Sequence, residues 1–129
     1  MGIKHELTIE TVKLKSPEFL VSNNFEFNKL SKIPNFAIAQ SLFTHLPPKN
    51  INLCFENLRK HFDPEGAFFA TYFVSDVKVQ NLEQPHDHKV FRYTIEEIQN
   101  FGQKNGWDCE FIGNWGHPRN QQIAKYSLA

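Results

Sequence analysis

The chain has 129 residues, 40% hydrophobic and 22% charged, which is enough for one domain with a core, too little for two, and too apolar for a disordered chain. Lysine plus arginine equals aspartate plus glutamate, so the formal charge is zero, nothing suggests a broad basic face, and no nucleic-acid partner is expected. No apolar run approaches the roughly 20 residues of a membrane span. The opening "MGIKHELTIETVKLK" lacks an apolar signal region, and Glu6 in place of Ser or Thr argues against myristoylation. A cytoplasmic protein is expected, with Cys54 and Cys109 as reduced core thiols.

The first element to read clearly is a short buried strand at Phe19, Leu20 and Val21, ending at Asn23 and Asn24. Before it, "MGIKHEL" suits a short strand, and "TIETVKL" suits a strand or a short helix. "NFAIAQS" is the next strand, and "LFTHL" follows as a short turn. In "PPKNINLCFENLRKHFDPEG", Ile51, Cys54, Phe55, Leu58 and Phe62 recur at helical spacing on one stripe. Asn50 suits an N-cap, although Pro48 allows an earlier start. "AFFATYFV" is apolar on both faces, as a central strand is. Residues 75 to 92 are polar and read as a long loop. "YTIEEIQNFGQKNG" predicts a helix with a Thr94-x-x-Glu97 capping box, an Ile95/Ile98/Phe101 stripe and a stop at Gly106. "WDCEFIGNW" and "QIAKYSL" are two closing strands around the turn "GHPRNQ". They are close in sequence, so antiparallel pairing is expected.

The alternation in the middle of the chain predicts an α/β sheet with parallel strands. In such sheets ligands bind beyond the C-terminal strand ends, where Gln40, Ser41 and the "LFTHL" turn would lie. His86-x-His88 with Asp87 lacks a third ligand and reads as solvated loop, so no metal is expected. Cys54 lies on the apolar stripe, which suits packing and not nucleophilic chemistry. Phe68, Phe69, Tyr72 and Phe73 read as core.

"FAIAQSLFTHLPPKNINLCFENLRKHFDPEGAFFATYF" resembles the central part of class I S-adenosylmethionine-dependent methyltransferases. In that family a fourth strand reads like "FDLVxxxSVFTHL", a helix follows, and an "L-x-P-G-G" turn leads into the fifth strand. Glu65 departs from that turn at one glycine position. "YTIEEIQNFGQKNGWDCEFIG" resembles the family's later helix and sixth strand. "GNWGHPRNQQIAKYSL" resembles the final hairpin of one subgroup with "GHPRGQ". The resemblance spans roughly residues 17 to 129.

The resemblance implies one partial domain over residues 1–129. Its fold would be a Rossmann-like α/β methyltransferase sheet, mostly parallel with a C-terminal antiparallel hairpin, and truncated at its N-terminus. It implies S-adenosyl-L-methionine as cofactor and a small-molecule methyl acceptor, with transfer by direct displacement at the methyl carbon. On the matching positions, Glu6, Asn23, Asn24, Phe25, Gln40, Ser41 and Leu42 would touch the cofactor. Phe43, His117 and Arg119 would touch the substrate, and His45 would serve as base.

The family's glycine-rich turn is missing, because none of the six glycines falls in a G-x-G-x-G pattern. The chain therefore reads as beginning near the family's second strand. Loss of the central first strand leaves two inner edges with unpaired backbone groups. Either those strands close on each other, or a second copy or a partner chain fills the gap. The alternative function is a non-catalytic remnant that uses its open sheet edge as a protein interaction domain.

Overall fold

A computed structural model describes residues 24–81 and 90–129. In chain order the elements are a 3-10 turn at Phe27–Lys29, strand β1 at Phe36–Ala39 and a 3-10 turn at Phe43–His45. Helix α1 at Pro48–Arg59, strand β2 at Ala67–Val74 and the short strand β3 at Arg92–Tyr93 follow. Helix α2 at Ile95–Gln103 and strands β4 at Trp107–Asn114 and β5 at Gln122–Leu128 complete the chain. The expected strand at Phe19–Val21 and the His86–His88 segment lie outside the described residues.

The strand order is β1-β2-β5-β4, with β3 also beside β2. β1 and β3 run parallel to β2. The longer ladders are antiparallel, since β5 lies between β2 and β4 and opposes both. The sheet is thus mixed, which corrects the expected mostly parallel one. Of the closing hairpin, β5 inserts between β2 and β4, and β4 lies at the edge of the described sheet. β3 is a second correction, because the polar stretch 75 to 92 ends in a two-residue strand.

α1 forms because its apolar residues fall on one stripe, and Ile51, Cys54, Phe55 and Leu58 are all buried. Proline is suited to the first helical position, where its missing N–H would have no partner, so the helix begins at Pro48 and not after Asn50. α2 carries the full capping box: Glu97 N donates to Thr94 Oγ1 at 3.1 Å, and Thr94 N donates to Glu97 Oε1 at 2.9 Å. Ile98 and Phe101 are buried, but Ile95 in the first turn is 42% exposed, so the predicted stripe is one residue shorter.

Both helices cover the same sheet face. Side chains alternate along a strand, and Phe68, Tyr72 and Tyr126 point into one aromatic core. Phe55 meets Phe68, Trp107 and Tyr126 there, and Phe101 meets Tyr72 and Tyr93. Tyr126 Oη donates to the Ile98 carbonyl at 2.7 Å. Its single proton is then committed, so Tyr72 Oη donates to Tyr126 Oη at 2.8 Å. This relay fastens α2 to the sheet centre. Cys54 and Cys109 are free thiols, Cys54 buried and Cys109 half-buried.

The other face carries Phe36, Ile38, Phe69, Thr71 and Lys125 by the same alternation. Among the described residues no helix covers it. Phe36 is 59% exposed and its ring lies 5.7 Å from Phe69. Among the described residues, β1 pairs only with β2 and its outer edge is open.

Candidate functional site

The parallel strands β1 and β2 end side by side, with Ala39 opposite Ala70. The β4–β5 turn comes to the same edge, because Gln122 opposes Tyr72. Three polar side chains from these separate stretches meet there. Ser41 N donates to Thr71 Oγ1 at 2.9 Å. Thr71 Oγ1 donates to Gln121 Oε1 at 2.7 Å. Gln121 Nε2 donates to Ser41 Oγ at 3.0 Å. Gln121 is only 2% exposed and Thr71 is buried, whereas Ser41 is exposed.

Ser41 has φ 59°, in the left-handed region that costs an L-residue about 1–2 kcal/mol. Its hydrogen bonds, including Thr44 Oγ1 to its carbonyl at 3.1 Å, offset that at about 1 kcal/mol each. With Nε2 donating to Ser41 Oγ, the serine's own proton has only a 3.3 Å contact to Gln121 Oε1. That proton can turn to an acceptor on the exposed side. A serine held off its preferred backbone by buried partners is a presented hydroxyl.

The β4–β5 turn is built to bury Gln121. Trp115 Nε1 donates to the Gln121 carbonyl at 2.9 Å, and the Trp115 and His117 rings stack 5.7 Å apart. His117 Nδ1 accepts from Arg119 N at 3.0 Å and from Gln121 N at 3.4 Å, so the ring proton sits on Nε2. Arg119 is left exposed, its guanidinium 5.7 Å from the Phe73 ring centroid. The Arg92 guanidinium lies 5.4 Å from the same centroid. Each such contact is worth about 0.5–1 kcal/mol at an exposed position. That holds both cations against a mutual repulsion of about 1 kcal/mol or less in a water-like medium.

Gln40, Ser41, Leu42, His117 and Arg119 therefore come to one end of the sheet. Phe43 does not reach a surface ligand. It is 0% exposed and packs on Phe55, Phe68 and Tyr72, because the turn after Ser41 points it inward. His45 is half-buried in the same turn, its N–H donating to the Leu42 carbonyl at 3.1 Å. The Asn24 carbonyl accepts from Asn57 Nδ2 at 2.9 Å, which places Asn24 and Phe25 beside the later turns of α1. α1 runs back from the Ser41 edge, so these two residues are not gathered with it. Glu6 and Asn23 lie outside the described residues.

Thr71, Gln121 and Arg92 were not singled out by sequence. The "GHPRNQ" turn held the one signal for Gln121, as a polar residue leading into an apolar strand. Among the described residues no three His, Cys, Asp or Glu side chains group to hold a metal. A cleft of about 630 Å³ between the end of β2 and the first turn of α2 is lined by Ser75, Asp76, Thr94 and Glu96, among others, and does not include the Ser41 group.

No family model matches the sequence, and a search of the curated proteins finds no match. Solved structures do match. The mitomycin 7-O-methyltransferase MmcR superposes with TM-score 0.67 at 11% identity, over 93% of this chain and 38% of that one. CalO1, a methyltransferase in calicheamicin biosynthesis in its SAH-bound form, gives 0.61 at 11% identity, over 86% and 34%. The magnesium protoporphyrin IX methyltransferase ChlM from Synechocystis PCC 6803, with bound SAM, gives 0.55 at 10% identity, over 88% and 46%. The chain spans about a third to a half of the length of these proteins. Its fold is that of the C-terminal part of the class I S-adenosylmethionine-dependent methyltransferases.

Proposed function

We propose that the chain forms part of a methyltransferase that uses S-adenosyl-L-methionine to methylate a small molecule. The observation that carries this reading is the exposed Ser41 at φ 59°, locked by buried Thr71 and Gln121 where the parallel strands end. When bound, the cofactor supplies a methyl carbon open to direct displacement. Gln40 and Ser41 offer it an amide and a hydroxyl, and Leu42 an apolar surface. These residues fit part of the cofactor. The Ser41–Thr71–Gln121 group holds no carboxylate for the ribose hydroxyls, and no glycine-rich turn is present to cradle the amino-acid end. His117 and Arg119 face the acceptor. Methyl transfer needs chiefly alignment, which rigid strand ends provide, and His45 in the adjoining turn is the candidate base.

Calorimetric titration of the monodisperse chain with S-adenosylhomocysteine tests the reading. Micromolar binding that weakens in Ser41→Ala supports it. No binding by a cooperatively folded protein counts decisively against methyl transfer by this chain alone.

A second reading is favoured by a different observation. β1 presents an open edge among the described residues, and Phe36 and Ile38 on it are 59% and 39% exposed. We infer that a strand from a second copy or a partner chain pairs there, as extended segments add to sheet edges. Light scattering of the wild type and of Ile38→Lys decides this. A concentration-dependent dimer abolished by the lysine supports self-pairing, and a monomer at all concentrations rules it out.

A further inference from the structure

We infer that Arg92, Phe73 and Arg119 form a clasp across the end of β2, and that the two arginines are positioning residues that hold the Ser41 turn in place. The consequence for cofactor binding rests on the methyltransferase reading. The clasp itself does not.

Phe73 shares a face of β2 with Phe69 and Thr71, because side chains alternate along a strand. Among the described residues no helix covers that face, yet Phe73 is only 8% exposed. Two guanidinium groups supply the cover. The Arg92 and Arg119 guanidinium carbons lie 5.4 and 5.7 Å from the Phe73 ring centroid. They arrive from opposite flanks, since β3 pairs with β2 on one side and the β4–β5 turn leads into β5 on the other. The ring therefore lies between the two cations and attracts each of them. Neither arginine makes an ion pair among the described residues, so the ring is what their charge is held against.

Both flanks lead back to Ser41. On the β3 side, Phe91 N donates to the Thr44 carbonyl at 2.9 Å, and Thr44 Oγ1 donates to the Ser41 carbonyl at 3.1 Å. On the other side, Arg119 N donates to His117 Nδ1 at 3.0 Å, and Gln121 N donates to the same nitrogen at 3.4 Å. Gln121 Nε2 then donates to Ser41 Oγ at 3.0 Å. The contacts thus run from Ser41 along both flanks of β2 and close on Phe73. Such a closed circuit holds a presented side chain more firmly than two arms that end free. Neither arginine needs to touch a ligand to act in this way.

Hydrogen exchange of the full chain without ligand, followed residue by residue by heteronuclear NMR, tests the clasp. The Ser41 and Gln121 amides are the readout, and the amides of the β4–β5 ladder are the reference for global opening. Arg92→Gln and Arg119→Gln are each expected to lower protection at Ser41 and Gln121 about two- to fivefold relative to the ladder, the factor that one exposed cation–π contact carries. Arg119→Lys keeps a cation for the ring and should retain most of the protection. Phe73→Leu removes the ring, so adding either arginine substitution to it should change nothing further. Both arginines are exposed, so their variants test the idea without disturbing the core. Wild-type protection in both arginine variants, or an equal fall in the ladder, would overturn the inference. So would an arginine effect that persists in Phe73→Leu, because the guanidinium would then act directly or by charge alone. S-adenosylhomocysteine titrated in parallel separates the two ideas. Its affinity should fall by a similar factor in Arg92→Gln. Loss of protection as stated, in a chain that never binds it, would leave the clasp standing and remove the methyltransferase reading.

Discussion

Gln121 Oε1 accepts a 2.7 Å hydrogen bond from Thr71 Oγ1, and both side chains are buried. The bond joins the β4–β5 turn to the middle of β2. It also fixes Thr71 Oγ1 where it can receive the Ser41 N–H. Replacing Gln121 by leucine keeps the volume but leaves the Thr71 hydroxyl only its long 3.5 Å contact to the Ala39 carbonyl. We expect Gln121→Leu to lower stability by about 1–3 kcal/mol in urea unfolding, since one buried polar group is then poorly paired. Thr71→Val with Gln121→Leu should cost clearly less than the two single changes added, because both partners leave together. Strict additivity would mean the bond is not a coupled pair.

Ser41 separates stability from presentation. Glycine adopts φ near 59° without penalty, so Ser41→Gly loses a hydrogen bond but gains relief from strain. Its stability should stay within about 1 kcal/mol of wild type. Ser41→Val should destabilise by about 2 kcal/mol or more, because a β-branched residue resists that backbone. If the hydroxyl contacts the cofactor, both variants lose affinity for S-adenosylhomocysteine in calorimetry. Wild-type affinity in Ser41→Gly would show that the serine is only a turn residue.

Gly102 is a packing residue. A Cβ there would stand 2.6 Å from Tyr126 Cδ1 and 2.7 Å from Cε1. The ring cannot swing aside easily, because Tyr126 Oη is held between the Ile98 carbonyl and Tyr72. Alanine would gain up to about 1 kcal/mol of helix propensity. Overpacking costs about 1–3 kcal/mol, so Gly102→Ala should be net destabilising in thermal unfolding. A higher melting temperature would show that α2 can shift away from β5.

Local pattern carried much of the fold. The α1 stripe, the Thr94–Glu97 capping box and the two closing strands each rest on residues near one another in sequence, where periodicity and turn chemistry act. The sense of the sheet was not legible, because nothing local tells β5 to enter beside β2. β3 has two residues and no period to detect. The same limit applies to the site. Gln40 and Ser41 could be read from the end of an apolar strand. Their partners could not, since Ser41 and Gln121 are 80 residues apart and meet only once the hairpin folds inward. The inward direction of Phe43 was not legible for a similar reason, because sequence shows an aromatic beside a polar pair and not which way the turn aims it.

Alkaline sensitivity follows from the aromatic core. Burial pushes the Cys54 thiol from an ordinary 9.0 up to about 12. Burial also raises the Tyr72 and Tyr126 phenols well above their ordinary 10.0. In each case the folded state holds its proton more tightly than the unfolded chain. Stability from these groups is therefore complete below the unfolded values and is lost as pH rises toward the folded ones. Each group contributes a slope of up to about 1.4 kcal/mol per pH unit in that window. Between pH 9 and 10 the thiols act first, and the phenols join above pH 10. Urea midpoints should stay flat from pH 7 to 8.5 as far as these groups are concerned, then fall steadily to pH 11. Cys54→Ala should be less stable at pH 8, because it leaves a cavity, yet should lose less between pH 8.5 and 10. Equal losses in the two proteins would show that Cys54 ionises as readily in the folded chain as in the unfolded one.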